Sequence, residues 1–422
     1  MGRNYFGTDG VRGIVGEFLT VELVERLGKA SALWAGPNAR VFVGRDTRGS
    51  GEELEEAFAR GVASAGGSAV LAGVVPTPAV ALLRLDLGVV ISASHNPPEY
   101  NGVKFFDRDG HKLNDASEEE IESLLEADAP GGGSVAHVDV AADSYLEHIV
   151  ERFGTDLTGL RIAVDCANGA YSGLAPRAFE HLGADVHAIA NEPDGNNINV
   201  GCGATHLELL QETVTSGGFD LGIAFDGDGD RMLAVDAKGG VANGDEIIAV
   251  LAFHLGVDVV AVTSMSNLGL HKLLTDHGVR VLTTDVGDRY VLEALYREGG
   301  ILGGEQSGHI ICLRDHVTGD GLAAALLLCG ALEGHPLHTV RRAMIRYPQV
   351  TKNLPRSGRG PLPATLLEAV DAVNLGLGDE ARVLVRPSGT EPLVRVLAEA
   401  PTEAEAENLC AKVASLVTKE LG

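Results

Sequence analysis

Aromatic residues are scarce in this 422-residue chain, at 5%, although a hydrophobic content of 45% is ample for several cores. Cysteine supplies no disulfide framework. Cys166, Cys202, Cys312, Cys329 and Cys410 are odd in number and form no CxxC pair, so they read as free thiols in a reducing cytosol. Positive charge is also in short supply: 33 lysines and arginines face 59 acidic residues, a formal net charge of −26. That balance argues against nucleic acid or an anionic membrane as a general partner. It also means that an anionic ligand would need a locally basic pocket against the overall field. Long hydrophobic runs are missing too. The longest, GLAAALLLCGAL from Gly321, is too short to cross a bilayer and predicts a buried helix. The first residues, MGRNYFGTDG, contain no signal-peptide core, so a cytoplasmic location is expected.

What the chain does have is alternation. VFVG leads through RDTRGSG to the helical pattern EELEEAFARGVASAG. RIAVD leads to CANGAYSG and LAPRAFEHLG, LGIAF to DGDGDR, and VVAVTS to MSNLGLHKLL. Strands alternating with helical patterns predict βαβ units and mostly parallel sheets, with ligands beyond the carboxyl ends of the strands. Ser117 to Glu120 predicts a capping box ahead of IESLLEA. Breaks at Ala129–Ser134, near Asn243-Gly244-Asp245 and at Leu354–Pro363 divide the chain into three segments of similar size and a shorter tail. The first three each hold a buried strand opening into a chemical loop: SASHNP, DGDGDR and GGEQSGH. The expectation is three similar mixed α/β domains around a central cleft, 1–146, 147–247 and 248–350, plus a smaller C-terminal α+β domain, 351–422.

Five loops carry chemistry. In DGDGDR, Asp226, Asp228 and Asp230 sit at alternate positions in a glycine-relaxed loop and can converge on one hard cation. An EF-hand does not fit, because its sixth position would be Arg231 and its twelfth Ala237. SASHNP offers Ser94 as a nucleophile or, equally, an ordinary turn. No serine lies in a GxSxG elbow, so lipase-like chemistry has no support. RPSGTEPLVR combines Arg386, Ser388, Gly389, Thr390 and Arg395 into either a phosphate cradle or a surface turn. GGEQSGH sets Glu305, Ser307 and His309 at alternate positions, which in an extended loop would face one side. GTDGVRG places Arg12 between glycines, allowing close approach to an anion.

In chain order, YFGTDGVRG, ISASHNP with NGVKFF, FDGDGDR, GGEQSGH and RPSGTEPLVRV cover essentially the whole sequence, which resembles the α-D-phosphohexomutase superfamily. FGTDGVRG, NINVGCGATH, MSNLGL, VGDRYVLE and Gln306 resemble its amino-sugar branch. Two positions depart from that pattern: Ala204, where the family usually has Ser, and Asp285, where it often has Lys. The resemblance implies that Ser94 carries a phosphoryl group and joins Asp226, Asp228 and Asp230 in holding Mg²⁺. It implies catalytic roles for Arg12, Lys104 and His309. Substrate binding would fall to Arg231, Glu305, Ser307, Arg386, Ser388, Gly389, Thr390 and Arg395. The expected activity is interconversion of glucosamine 6-phosphate and glucosamine 1-phosphate through a bisphosphate, on the route to UDP-N-acetylglucosamine and cell wall. Glucosamine or glucose 1,6-bisphosphate would be the activator, and the chain would be a monomer or homodimer. A phosphomannomutase/phosphoglucomutase with the same machinery is the alternative reading. A non-catalytic phosphosugar sensor is a third, and the presence of Ser94 and all three aspartates speaks against it.

Overall fold

Three of the four sheets repeat one strand plan, and the plan explains where the chemical loops lie. The computed structural model describes residues 4–7, 9–356, 360–387 and 392–421. In the first sheet, Arg40–Arg45 pairs in parallel with Ser68–Val74 on one side and Leu87–Ile91 on the other. Leu87–Ile91 then pairs antiparallel with Tyr100–Phe106. Val11–Ile14 and Ser134–His137 extend the two edges. The second sheet repeats the plan: Arg161–Asp165 lies between Asp185–Ile189 and Leu221–Phe225, and Leu221–Phe225 turns back antiparallel as Met232–Asp236. The third does so again, with Val259–Thr263 between Arg280–Thr284 and Leu302–Gly304, which turns back as Ile310–Cys312. The fourth sheet is antiparallel throughout, with Leu393–Glu399 between Gln349–Pro355 and Arg382–Pro387.

The reversal from a parallel to an antiparallel strand is made by SASHNP in the first unit, DGDGDR in the second and EQSGH in the third. Each loop therefore leaves the carboxyl end of a buried strand, the usual ligand edge of an α/β sheet. Leu87–Ile91 and Leu221–Phe225 are buried along their whole length. That is why they read as continuous apolar runs rather than alternating ones. The apolar run from Gly321 is a helix, Gly321–Leu332, capped by the Asp320 carboxylate, which accepts from Leu322 N and Ala323 N. It is apolar all round because it lies inside the core, against helices Ala141–Phe153 and Gly244–Leu255. Among the described residues no helix is long and apolar enough to cross a membrane.

Local signals fared unevenly. The predicted capping box at Ser117–Glu120 lies inside helix Asp115–Ser123, whose cap is Asn114, accepting from Ser117 N. A capping box does form at Asn243 and Glu246, opening helix Gly244–Leu255. The expected divisions at 146/147, 247/248 and 350/351 fall inside helix Ala141–Phe153, helix Gly244–Leu255 and strand Gln349–Pro355. Polar and glycine-rich composition marks loops, whereas these elements pack across the joints between units.

Candidate active site

The DGDGDR and GGEQSGH loops and the fourth sheet border one cavity of about 710 Å³, to which the first unit adds Asp9 and Lys112. Asp9, Lys112, Asp230, Arg231, Asp285, Asp288, Glu305, His309, Arg386 and Arg395 line it, so every unit contributes.

Ser94 is buried and holds a left-handed backbone, φ 52°. Its hydroxyl donates to Asp226 Oδ2 at 2.6 Å, across the gap between the first and second units. In the DGDGDR loop, Gly229 (φ 77°) turns the chain so that Asp226 Oδ1 accepts from Gly229 N and Arg231 N. One ligand oxygen from each of Asp226, Asp228 and Asp230 can be chosen so that all three lie within 4.8 Å of one another. Asp228 Oδ2 is taken up by Thr77 Oγ1 and Lys104 Nζ, each at 2.6 Å. Among the described residues, Asp228 Oδ1 and Asp230 Oδ1 are buried with no hydrogen-bond partner. Burial, followed by the Asp230 and Asp228 charges, pushes the Asp226 carboxyl well above its ordinary range. Three buried hard oxygen donors with orphaned atoms and mutual repulsion fit a divalent cation such as Mg²⁺.

Lys104, on strand Tyr100–Phe106, is almost completely buried and also reaches Asp9 at 3.3 Å and Asp230 at 3.9 Å. A chain of alternating charge runs on from there. Lys112 bridges Asp9 (2.7 Å) and Asp288 (2.6 Å), and Arg12 Nη2 lies 2.5 Å from Asp9. Burial opposes ionisation of Asp9, but Lys104, Lys112 and Arg12 hold it well below the carboxylate range. His309 stands between Asp230 (Nδ1, 3.6 Å) and Asp288 (Nε2, 3.4 Å). Burial works against its charge, yet the two carboxylates raise it to about 8. Arg231 Nη1 lies 3.0 Å from His95 Nδ1. Burial and the nearby Arg231 and Arg12 push His95 down to about 4, which leaves its ring nitrogen free to accept.

GGEQSGH is not extended as expected. Glu305 N donates to His309 O and Gly308 N to Glu305 O, closing a tight loop. Glu305 and His309 line the cavity, while Ser307 is exposed and donates to Glu305 at 2.9 Å. Gln306 turns away to Asp245 and to Gln349 of the fourth unit. Arg386 and Arg395 are directly opposite each other on adjacent antiparallel strands. Burial and the Arg395 charge lower the Arg386 pKa. Two cationic side chains are thereby presented side by side at the cavity, an arrangement suited to an anion. Ser388, Gly389 and Thr390 lie outside the described residues.

Family models for phosphoglucomutase/phosphomannomutase α/β/α domains I, II and III match residues 3–130, 143–240 and 243–347, and the model for the C-terminal domain matches 363–416. A phosphoglucosamine mutase from Moorella thermoacetica is 48% identical over 96% of this chain and 97% of its own length. One from Saccharopolyspora erythraea is 48% identical over 98% of both. The chain belongs to the phosphoglucosamine mutase family. As a phosphohexomutase it is an isomerase that moves a phosphoryl group within one substrate. A phosphoglucomutase/phosphomannomutase family protein from Burkholderia thailandensis superposes with a TM-score of 0.87, at 25% identity, over 99% of this chain and 98% of that one.

Sequence reasoning passed over several residues of this phosphohexomutase site. Asp9, Lys112 and Asp288 pair only in three dimensions, and Thr77 opens a helix whose sequence gives no hint of Asp228. Asp9 and Asp288 were within reach, since each falls in a motif that was singled out, GTDG and VGDRY.

Proposed function

We propose that the protein interconverts glucosamine 6-phosphate and glucosamine 1-phosphate through phosphorylated Ser94 and glucosamine 1,6-bisphosphate. The observation that carries the reading is the 2.6 Å contact of Ser94 Oγ with Asp226, one of three clustered carboxylates beside a cavity with paired arginines. In the first half-reaction the Oγ–P bond breaks as a bond forms from phosphorus to the sugar O1; O1 gives up its proton and Ser94 Oγ takes one up, ending as a hydroxyl. The sugar turns over, and its 6-phosphoryl group passes to Ser94 Oγ as the O6–P bond breaks; Oγ gives up its proton and O6 takes one up. Mg²⁺ would be held by Asp226, Asp228, Asp230 and the phosphorylated serine; when bound, it draws charge off the transferring group. Lys104 holds Asp228 in place, and Arg12, Lys104 and Arg231 supply the positive charge that such a transfer needs. His309, between two carboxylates, holds a proton near the reacting end of the cavity. Arg386 and Arg395, with Ser388, Gly389 and Thr390 of the same loop, grip the phosphate that is not reacting, and Glu305 with Ser307 takes sugar hydroxyls.

A solved N-acetylphosphoglucosamine mutase from Aspergillus fumigatus, described in complex with GlcNAc-6P and magnesium, shares the fold with a TM-score of 0.71. Its ligands support a phosphosugar and Mg²⁺ here. Glucosamine or glucose 1,6-bisphosphate is the expected activator. The protein acts in the cytoplasm as a monomer or homodimer. A coupled mutase assay on glucosamine, glucose and mannose phosphates, with intact mass, tests the reading. Preference for the glucosamine phosphates and a phosphoryl adduct lost in Ser94→Ala are expected. Asp228→Asn should weaken Mg²⁺ binding and cut turnover strongly. Full turnover by Ser94→Ala would overturn the mechanism, and preference for mannose or glucose phosphates would favour the phosphomannomutase/phosphoglucomutase reading.

A further inference from the structure

The backbone of Ser94 is in a conformation that L-residues other than Asn and Asp rarely hold, and the loop around it is gripped more firmly than a turn requires. Ser94 O accepts from Arg48 Nη2 at 2.8 Å and from Asn199 Nδ2 at 2.9 Å. Asn96 O accepts from the same two nitrogens, at 2.8 and 3.1 Å. Two carbonyls are thus each held twice, once from the first unit and once from the second. Arg48 Nη1 holds two more carbonyls, those of Pro97 and Tyr100.

The arginine is itself anchored. Its side chain is fully buried, with Nε 2.9 Å from Asp46 Oδ2. Asp46 Oδ2 also accepts from Ser92 Oγ at 2.6 Å, and Ser92 Oγ accepts from Ser94 N at 2.9 Å. The bonds close a ring: Asp46 to Ser92, Ser92 to Ser94 N, Ser94 O to Arg48, Arg48 to Asp46. The peptide groups on both sides of Ser94 are thus held by buried side chains. Asn199 is left-handed as well, φ 60°, and its own N–H donates to Ala167 O. Beneath it, Gly227 of the aspartate loop leaves room for the grip. A Cβ there would come 2.7 Å from Ser94 O and 2.8 Å from Asn199 Nδ2.

We infer that Arg48 and Asn199 are positioning residues that lock Ser94 in its left-handed conformation, so that Oγ is aimed at the aspartate loop in both halves of the reaction. Neither side chain touches the reacting atoms in this arrangement; both act through the Ser94 carbonyl. The inference rests on the reading of Ser94 as the phosphoryl carrier. A merely structural role would show in stability alone. A positioning role would show in kcat, because displacement of the nucleophile by about 1 Å costs on the order of 10²-fold in rate.

Asn199→Gly is the test, since glycine accepts the positive φ and removes only the two donors. In the full-length protein with Mg²⁺, kcat should fall about 10²-fold with KM nearly unchanged. Phosphoryl uptake by Ser94 from glucose 1,6-bisphosphate, followed by intact mass, should slow in step. Arg48→Lys, which keeps a cation for Asp46 and loses the forked donors, should show the same split. It carries the test if Asn199→Gly does not fold. Ser94→Ala is assayed alongside. Normal kcat in both positioning variants with an inactive Ser94→Ala would overturn this inference and leave the reading of Ser94 standing. A lowered melting temperature with normal kcat in the folded fraction would overturn it in the same way. An active Ser94→Ala would remove both.

Discussion

At the scale of single residues, Ser94, the proposed phosphoryl carrier, is also a point of strain. A non-glycine residue in the left-handed region costs roughly 1 kcal/mol or more, and persists where its surroundings over-determine it. The sequence has no GxSxG elbow, and the same strain was reached by another route, through buried donors rather than a sharp strand-to-helix turn. This has a consequence for stability. At an ordinary position glycine is less stable than alanine by about 0.5–1 kcal/mol, because its unfolded chain has more freedom to lose. At φ 52° the order should reverse, so Ser94→Gly should melt above Ser94→Ala by a few degrees, about 1 kcal/mol. Differential scanning calorimetry on the two inactive variants reads this directly. A higher melting point for the alanine variant would mean the Ser94 backbone is relaxed.

At the scale of elements, helix Leu268–Asp276 joins the third unit to the fourth. Its cap, Asn267, donates to Tyr347 O and accepts from Tyr347 N, fastening the start of the C-terminal unit. His271 lies on this helix with Nε2 buried and, among the described residues, without a hydrogen-bond partner. Burial and the Arg382 charge push it from 6.5 down to about 4. The folded-state value is depressed, so its contribution is complete above pH 6.5 and is lost as pH falls towards 4. In that window the unfolded chain takes up a proton that the folded chain refuses. His271→Leu should therefore flatten the fall in melting temperature between pH 6.5 and 4, while leaving the curve above pH 7 parallel to the parent. An unaltered acid limb would mean that other groups set it.

Elements were also where the sequence was most readable. RIAVD, LGIAF and MLAVD became strands with those bounds, because largely buried strands leave short, nearly continuous apolar runs. The aspartate triad was readable because its members are contiguous. The Asp9–Lys112–Asp288 chain was not, since its residues lie far apart in sequence and single charges in loops look solvated. Arg48 shows the same blindness: nothing in RDTRGSG distinguishes a fully buried arginine from an exposed one.

At the scale of the molecule, the acidic chain holds a cationic wall inside. Arg386 and Arg395 oppose each other on the fourth sheet and border the cavity shared with the other three units. Arg386→Ala should raise KM for both sugar phosphates. Loss of one charged partner costs about 2–4 kcal/mol, tens- to several-hundred-fold. Without ligand its melting temperature should stay nearly unchanged. Glucose 1,6-bisphosphate should stabilise the parent and do so far less in the variant, which a thermal-shift titration measures. A large drop in melting temperature with ordinary KM would make Arg386 a structural residue instead.

The cavity of about 710 Å³ has a cost in discrimination. A site that receives one molecule head-first and then tail-first cannot be moulded to either pose. Its walls must grip what the two poses share, a phosphate at the far end and a ring of hydroxyls, and be indifferent to the rest. Fidelity among epimers is then modest by construction. What the roominess gains, in the proposed reaction, is retention: a half-finished bisphosphate can tumble in place, and the time needed to turn it sets the fastest opening of the cleft that the reaction tolerates.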